Sequence, residues 1–209
     1  MATKLKIYNK ALLHIGVDPL RALDDRVESR RLLDAAWADN SAVLYCLSLG
    51  YWRFALRTIK MEYDTSWTAE FGLKRRFKQP DDLIRTYALC EDEYFETPLL
   101  QYEPENGFFY AEWDEFYLRY VSKAPDRGLD MNQWPETFQR MLEYHIAREI
   151  APVKLSQAKM QEIERGFKEA KLEARNIDVM EEPQRFPAAR GWVNARRAGL
   201  SRSAERRRG

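Results

Sequence analysis

The hydrophobic pattern of this chain changes period twice, and that limits the folds open to it. Leu5, Tyr8, Leu12 and Ile15 recur at helical spacing and stop at Gly16, with Pro19 close behind. A second apolar stripe, Val27, Leu33, Trp37, Leu44 and Leu47, runs to Gly50; Asp24 or Asp25 can cap its start and Glu28 sits in its first turn. From Tyr51 the period shortens. Ile59, Met61 and Tyr63 alternate with Lys60 and Glu62, and Leu83 to Leu89 and Phe116 to Val121 are β-branched or aromatic runs. Turn-rich sequence such as Glu103-Pro104-Glu105-Asn106-Gly107 separates these runs, which suggests a small antiparallel region of about four strands. Helical spacing returns at Trp134-Pro135-Glu136, continues through Phe138, Met141, Leu142, His145 and Ile146, and should end at Pro152. The last helix is the most regular, with Met160, Ile163, Phe167, Ala170, Ala174 and Ile177 alternating three and four residues apart.

The expected architecture is therefore α+β: a four-helix bundle with an inserted antiparallel β region and an extended C-terminal arm. The expected helices span residues 5–16, 25–49, 135–151 and 155–177, with the β insertion at 56–123. Together they form a 1–182 domain, followed by a 183–209 arm.

Charge marks the arm off from the domain. Residues 183–209 carry eight arginines, one acid (Glu205) and no lysine, so removing them from the 34 basic and 33 acidic residues leaves residues 1–182 at −6. A net charge of +1 thus hides an acidic body and a basic tail. With little apolar surface of its own beyond Phe186, Pro187 and Trp192, the arm should order only against a partner. Its arginines suit an acidic protein surface and a nucleic-acid backbone equally well.

Motifs of catalysis are scarce. The chain has two histidines, His14 and His145, both on or beside apolar helix faces, where a satisfied, partly buried role is expected. It has no Gly-rich phosphate loop, G-x-S-x-G or paired C-x-x-C. Asp24-Asp25, Asp81-Asp82 and Glu91-Asp92-Glu93 read as a cap, a turn and a solvated loop rather than a cation site. The expectation is no catalytic residue, no metal and no cofactor; were there an enzyme site, Asp81, Asp82 and His145 would be its candidates. Cys46 and Cys90 read as buried free thiols of a reducing compartment, with one disulfide between them as the alternative. No apolar run approaches the roughly 18 residues of a membrane span, so a soluble protein made in a cytoplasm is expected.

Taken in order, several local signatures resemble the head-to-tail adaptors of tailed bacteriophages, specifically the tail tubular protein A family of short-tailed phages. Ala11-Leu12-Leu13-His14-Ile15-Gly16 followed by Leu23-Asp24-Asp25 is similar to the family's opening, and Tyr51-Trp52-Arg53-Phe54-Ala55 to its aromatic corner. Gln79-Pro80-Asp81-Asp82-Leu83-Ile84-Arg85 resembles the family's proline-aspartate start of a strand, with Gln79 in place of the usual leucine. Trp134-Pro135-Glu136-Thr137-Phe138, Ala147 to Pro152 and Ala174-Arg175-Asn176-Ile177-Asp178 resemble its closing helical pair.

The resemblance covers roughly residues 5 to 178, the size of one ordinary domain. It implies a structural virion protein: a ring of twelve copies beneath the portal protein that continues the DNA channel and attaches the tail nozzle and fibres. On that reading Arg185, Phe186, Arg190, Trp192, Arg196 and Arg197 form a portal-docking arm, with packaged DNA as the rival contact. The β region with Tyr94, Phe95 and Tyr102 faces the tail. A nucleic-acid-binding protein that uses the arginine arm is the alternative.

Overall fold

A computed structural model describes residues 3–69, 72–154 and 156–181. The order of elements is α1 (Lys4–Ile15), α2 (Glu28–Trp37), α3 (Ser41–Ser48), β1 (Leu56–Glu62), β2 (Arg75–Lys78), β3 (Leu83–Cys90), β4 (Tyr102–Glu105), β5 (Phe108–Ala111), β6 (Glu115–Ser122), α4 (Glu136–Lys154) and α5 (Gln157–Met180). The α+β class stands, but the four-helix bundle does not form. Among the described residues five α-helices gather instead, with α1, α2 and α3 all packing on α4. The expected helix over 25–49 is two helices joined by a 3-10 turn, Ala38–Asn40, in which Asp39 and Asn40 take positive φ of 51° and 58°. Such values stop an α-helix, and polar Asp and Asn tolerate them best. Trp37 then donates its Nε1 hydrogen to Asn40 Oδ1 at 3.1 Å, fastening the break.

The start of α2 also differs from expectation. Asp25 accepts hydrogen bonds from the Arg21 and Ala22 amides at 2.6 and 3.2 Å, so it closes the preceding turn, and α2 begins at Glu28 without a side-chain cap. Pro152 does not stop α4, which runs two residues further. A proline in the last turn forfeits a single backbone bond there. α1 ends as expected, at Gly16 in the left-handed conformation.

Among the described residues the β region holds six strands, in two three-stranded sheets, rather than about four strands. One sheet has the order β1-β6-β3 and the other β2-β5-β4, all pairs antiparallel. Between β4 and β5 lies a two-residue turn, Asn106-Gly107, with φ of 46° and 80°, the mirror-image turn geometry that matches strand twist.

Two cores result. In the helical core Trp52 is sealed over Phe138, 5.2 Å between ring centres, and donates to the Cys46 carbonyl at 3.0 Å. Phe54 meets the same Phe138 ring at 4.9 Å, so this aromatic corner ties α3 to α4. Trp134 packs on Phe138 at the start of α4, 5.5 Å between ring centres, and donates to the Gly128 carbonyl at 2.9 Å. A side chain at Gly128 would collide with the Ser122 carbonyl. The second, smaller core lies between the two sheets and contains Met61, Phe77, Leu89, Phe109, Phe116, Leu118 and Tyr120. β6 serves both: Phe116, Leu118 and Tyr120 enter the β core, while Val121, on the opposite face, enters the helical one. Cys46 and Cys90 are both buried and are not joined in a disulfide.

Candidate functional site

The three residues expected to face the tail differ in exposure. Tyr94 is 72% exposed, whereas Phe95 is only 9% exposed and lies under the Arg119 guanidinium, 4.1 Å from its ring centre. Tyr102 opens β4 and leans on Phe109 of the β core at 6.2 Å. Their surroundings are also more ordered than a long irregular loop. Asp92 accepts from the Glu96 and Thr97 amides at 3.0 and 2.6 Å, and the Leu99 amide returns to the Leu89 carbonyl at 2.9 Å. Those backbone bonds hold the Asp92 carboxyl below its ordinary pKa. Past this closed turn, Leu100 is 86% exposed. The arm residues Arg185, Phe186, Arg190, Trp192, Arg196 and Arg197 lie outside the described residues.

The residues named as enzyme candidates have separate engagements. Asp81 is exposed and pairs with Lys78 at 3.3 Å. Asp82 sits at the seam between the two cores, accepting from Tyr120 at 2.9 Å, from Arg57 at 3.1 Å and from Ser122. Burial acts to raise its pKa, but the three hydrogen bonds outweigh burial and leave the carboxyl below its ordinary value. The same arrangement raises Tyr120 to about 12, through burial first and its bond to Asp82 second.

His145, on α4, is stacked against Tyr45 at 4.4 Å and accepts at Nδ1 from Arg148 at 3.0 Å. Burial, reinforced by the Arg148 charge, depresses it to about 4, so the ring is neutral near pH 7. His14 stacks on Tyr144 at 3.9 Å, yet its buried Nε2 has no hydrogen-bond partner among the described residues, unlike the satisfied histidine expected. Among the described residues, no group of three or more His, Cys, Asp or Glu side chains converges as a metal site would require.

Two of the clefts among the described residues have linings that the sequence did not reveal. The larger, about 690 Å³, lies between the end of α4 and the start of α5 around Arg148, Met160, Arg165 and Lys168. Much of its charge is already matched, since Arg148 and Lys168 both reach Glu164, at 3.6 and 3.7 Å. The smaller, about 430 Å³, lies on the outer face of the β2-β5-β4 sheet, lined by Trp67, Thr68, Leu73, Glu103, Glu105 and Tyr110. The one sequence signal for it was the Asn-Gly hairpin turn followed by Phe108-Phe109-Tyr110-Ala111, whose alternate residues must divide between core and surface.

The chain matches no protein-family model and no curated protein. Among the described residues, no helix is long and apolar enough to cross a membrane.

Proposed function

We propose that this protein is a head-to-tail adaptor of a tailed bacteriophage: a virion protein that assembles as a ring beneath the portal, extends the DNA channel and carries the tail nozzle and fibres. The observation that carries the reading is the order of the adaptor-like motifs along the chain, from Ala11-Leu12 to Ile177-Asp178. Their placement suits an assembly role. Gly16 ends α1, Trp52 and Phe54 brace α3 on α4, Asp82 binds the seam and Trp134 seats the start of α4. These are architectural tasks, and a docking protein needs its architecture held still while its surfaces bind.

Head-to-tail contacts between identical bodies close into rings when the rotation permits. An acidic body suits a conduit, since a wall of like charge lets DNA slide, whereas one lined with arginine would hold it through many phosphate contacts. The arm would then be withdrawn against the portal.

The test is imaging of purified virions at the head-tail junction. A closed ring of this chain under the portal, with a channel wall free of basic side chains from residues 1–182, is expected. The chain present once or a few times per particle would end the adaptor reading. The alternative, a nucleic-acid-binding protein, is favoured by the eight arginines of the arm. It requires tight DNA binding by the free protein that weakens steeply with added salt.

A further inference from the structure

We propose that the cleft formed by Trp67, Tyr110, Glu103 and Glu105 is a guanidinium subsite, taking an arginine side chain from an arginine-bearing segment of a partner protein. This inference does not rest on the adaptor reading. Strand register sets up the chemistry. Arg76 and Glu103 both pair with Tyr110, and Lys78 and Glu105 both pair with Phe108. Because Phe77, Phe109 and Ala111 turn inward to the β core, those two rows form the outward face: basic residues on β2, aromatic rings on β5 and acidic residues on β4.

The basic side of this face is already neutralised locally. Arg76 pairs with Asp64, and Lys78 with Asp81 at 3.3 Å. The acidic side is not. Glu103 and Glu105 are exposed, and neither enters an ion pair among the described residues. They stand two residues apart on one strand, so their carboxylates lie on the same side, about 7 Å apart along it.

Trp67 completes the cleft, edge-to-face with Tyr110 at 5.5 Å between ring centres. The same face shows how a guanidinium sits on it, because Arg76 lies 4.5 Å from the centre of the Phe108 ring and 5.4 Å from that of Trp67. Arg76 thus already covers one face of Trp67, whereas Tyr110, Glu103 and Glu105 have no cation among the described residues, so an incoming guanidinium would stack on Tyr110 beside the two carboxylates. Planar guanidinium is the cation that stacks on rings and bridges carboxylates at once, whereas a lysine ammonium acts as a point charge. Two unmatched carboxylates also set the sign of the partner, which excludes an acidic segment.

The experiment follows the indole N–H signals of the full chain by nitrogen-15 NMR, with Trp67 assigned through Trp67→Phe, during titration with hexa-arginine, hexalysine and maltohexaose. Hexa-arginine should shift the Trp67 indole to saturation, and hexalysine should do so more weakly. Glu103→Gln combined with Glu105→Gln should weaken the hexa-arginine response about tenfold or more, while Glu91→Gln combined with Glu93→Gln, which removes the same charge elsewhere, should leave it within about twofold. Equal loss in both double variants would reduce the effect to the general field of an acidic body and overturn the subsite. A response to maltohexaose in place of hexa-arginine would overturn it in favour of a glycan. A Trp67 shift that grows with protein concentration, without added peptide, would overturn the separate partner in favour of a second copy's own arginines.

Discussion

The helical core and the β core bury their residues by different means. Helices gather around one long strut, α4, and fill the space with large rings: Trp52, Trp134 and Phe54 all touch Phe138. The sheets enclose a thin layer of side chains and surround it with paired charges, Lys60 with Glu115, Arg75 with Asp114 and Arg76 with Asp64. A thick apolar core holds its stability in burial that salt does not screen, whereas exposed ion pairs contribute little and fade with ionic strength. The difference teaches that the two parts should fail separately, the sheets first. Elements with few buried apolar contacts open at lower free energy than the core beneath them.

The largest expected effects break this comparison directly. Phe138→Ala should cost about 3–5 kcal/mol and remove hydrogen-exchange protection throughout the chain. Phe116→Ala, a comparable truncation in the β core, should remove protection from residues 56–122 while α1 and α4 keep theirs. Loss of protection everywhere in both variants would mean one cooperative unit.

Gly128→Ala comes next, at about 3 kcal/mol by urea denaturation, because its new methyl group would press on the Ser122 carbonyl at the seam.

Acid should then find the helical side. His145 is held near 4 when folded and returns to about 6.5 when unfolded, so the unfolded chain takes up the proton first. Stability is therefore level above about pH 6.5 and falls as the pH drops towards 4, by on the order of 2–3 kcal/mol. His145→Gln should flatten that slope in a series of urea melts across this range.

Asp82→Asn gives the smallest effect, about 1–2 kcal/mol near neutral pH, since it leaves Arg57 unmatched and weakens two hydroxyl bonds. Its pH window is also different. With its folded pKa below the ordinary carboxylate value, Asp82 contributes in full above about pH 4 and loses that contribution as the pH falls through the folded pKa. The variant and parent should therefore converge only in strong acid.

Periodicity made most of the helical side legible, because α1 and α5 each bury one regular stripe. The break after Trp37 was not legible, since three residues in a tighter turn barely interrupt the apolar rhythm and the decisive feature is backbone φ at Asp39 and Asn40. Nor was the arrangement of the helices, because a stripe shows that a helix is covered on one side without naming the helix that covers it. In the β region the long strands announced themselves. β4 was hidden by Pro104 and its exposed acids, residues typical of turns that an edge strand also tolerates. The Trp67 cleft was hidden for a related reason: Trp67 comes from a polar loop and meets Tyr110 only through the fold. The arm, the feature most visible in composition, lies beyond the described residues.

The seam has a mechanical side. Where the β region joins the helices, Leu56 of β1 stands opposite Val121 of β6, and Leu83 of β3 stands opposite Ser122. Three neighbouring strands thus meet the junction in one row, as a hydrogen-bonded ribbon, with β1 and β6 continuing into the helical side. Such a ribbon bends across its thin direction but resists sliding in its own plane, where every rung of the ladder opposes displacement. The β1-β6-β3 sheet can therefore tip where it meets the helices, as a page tips at its spine, while its rungs oppose sliding along the junction.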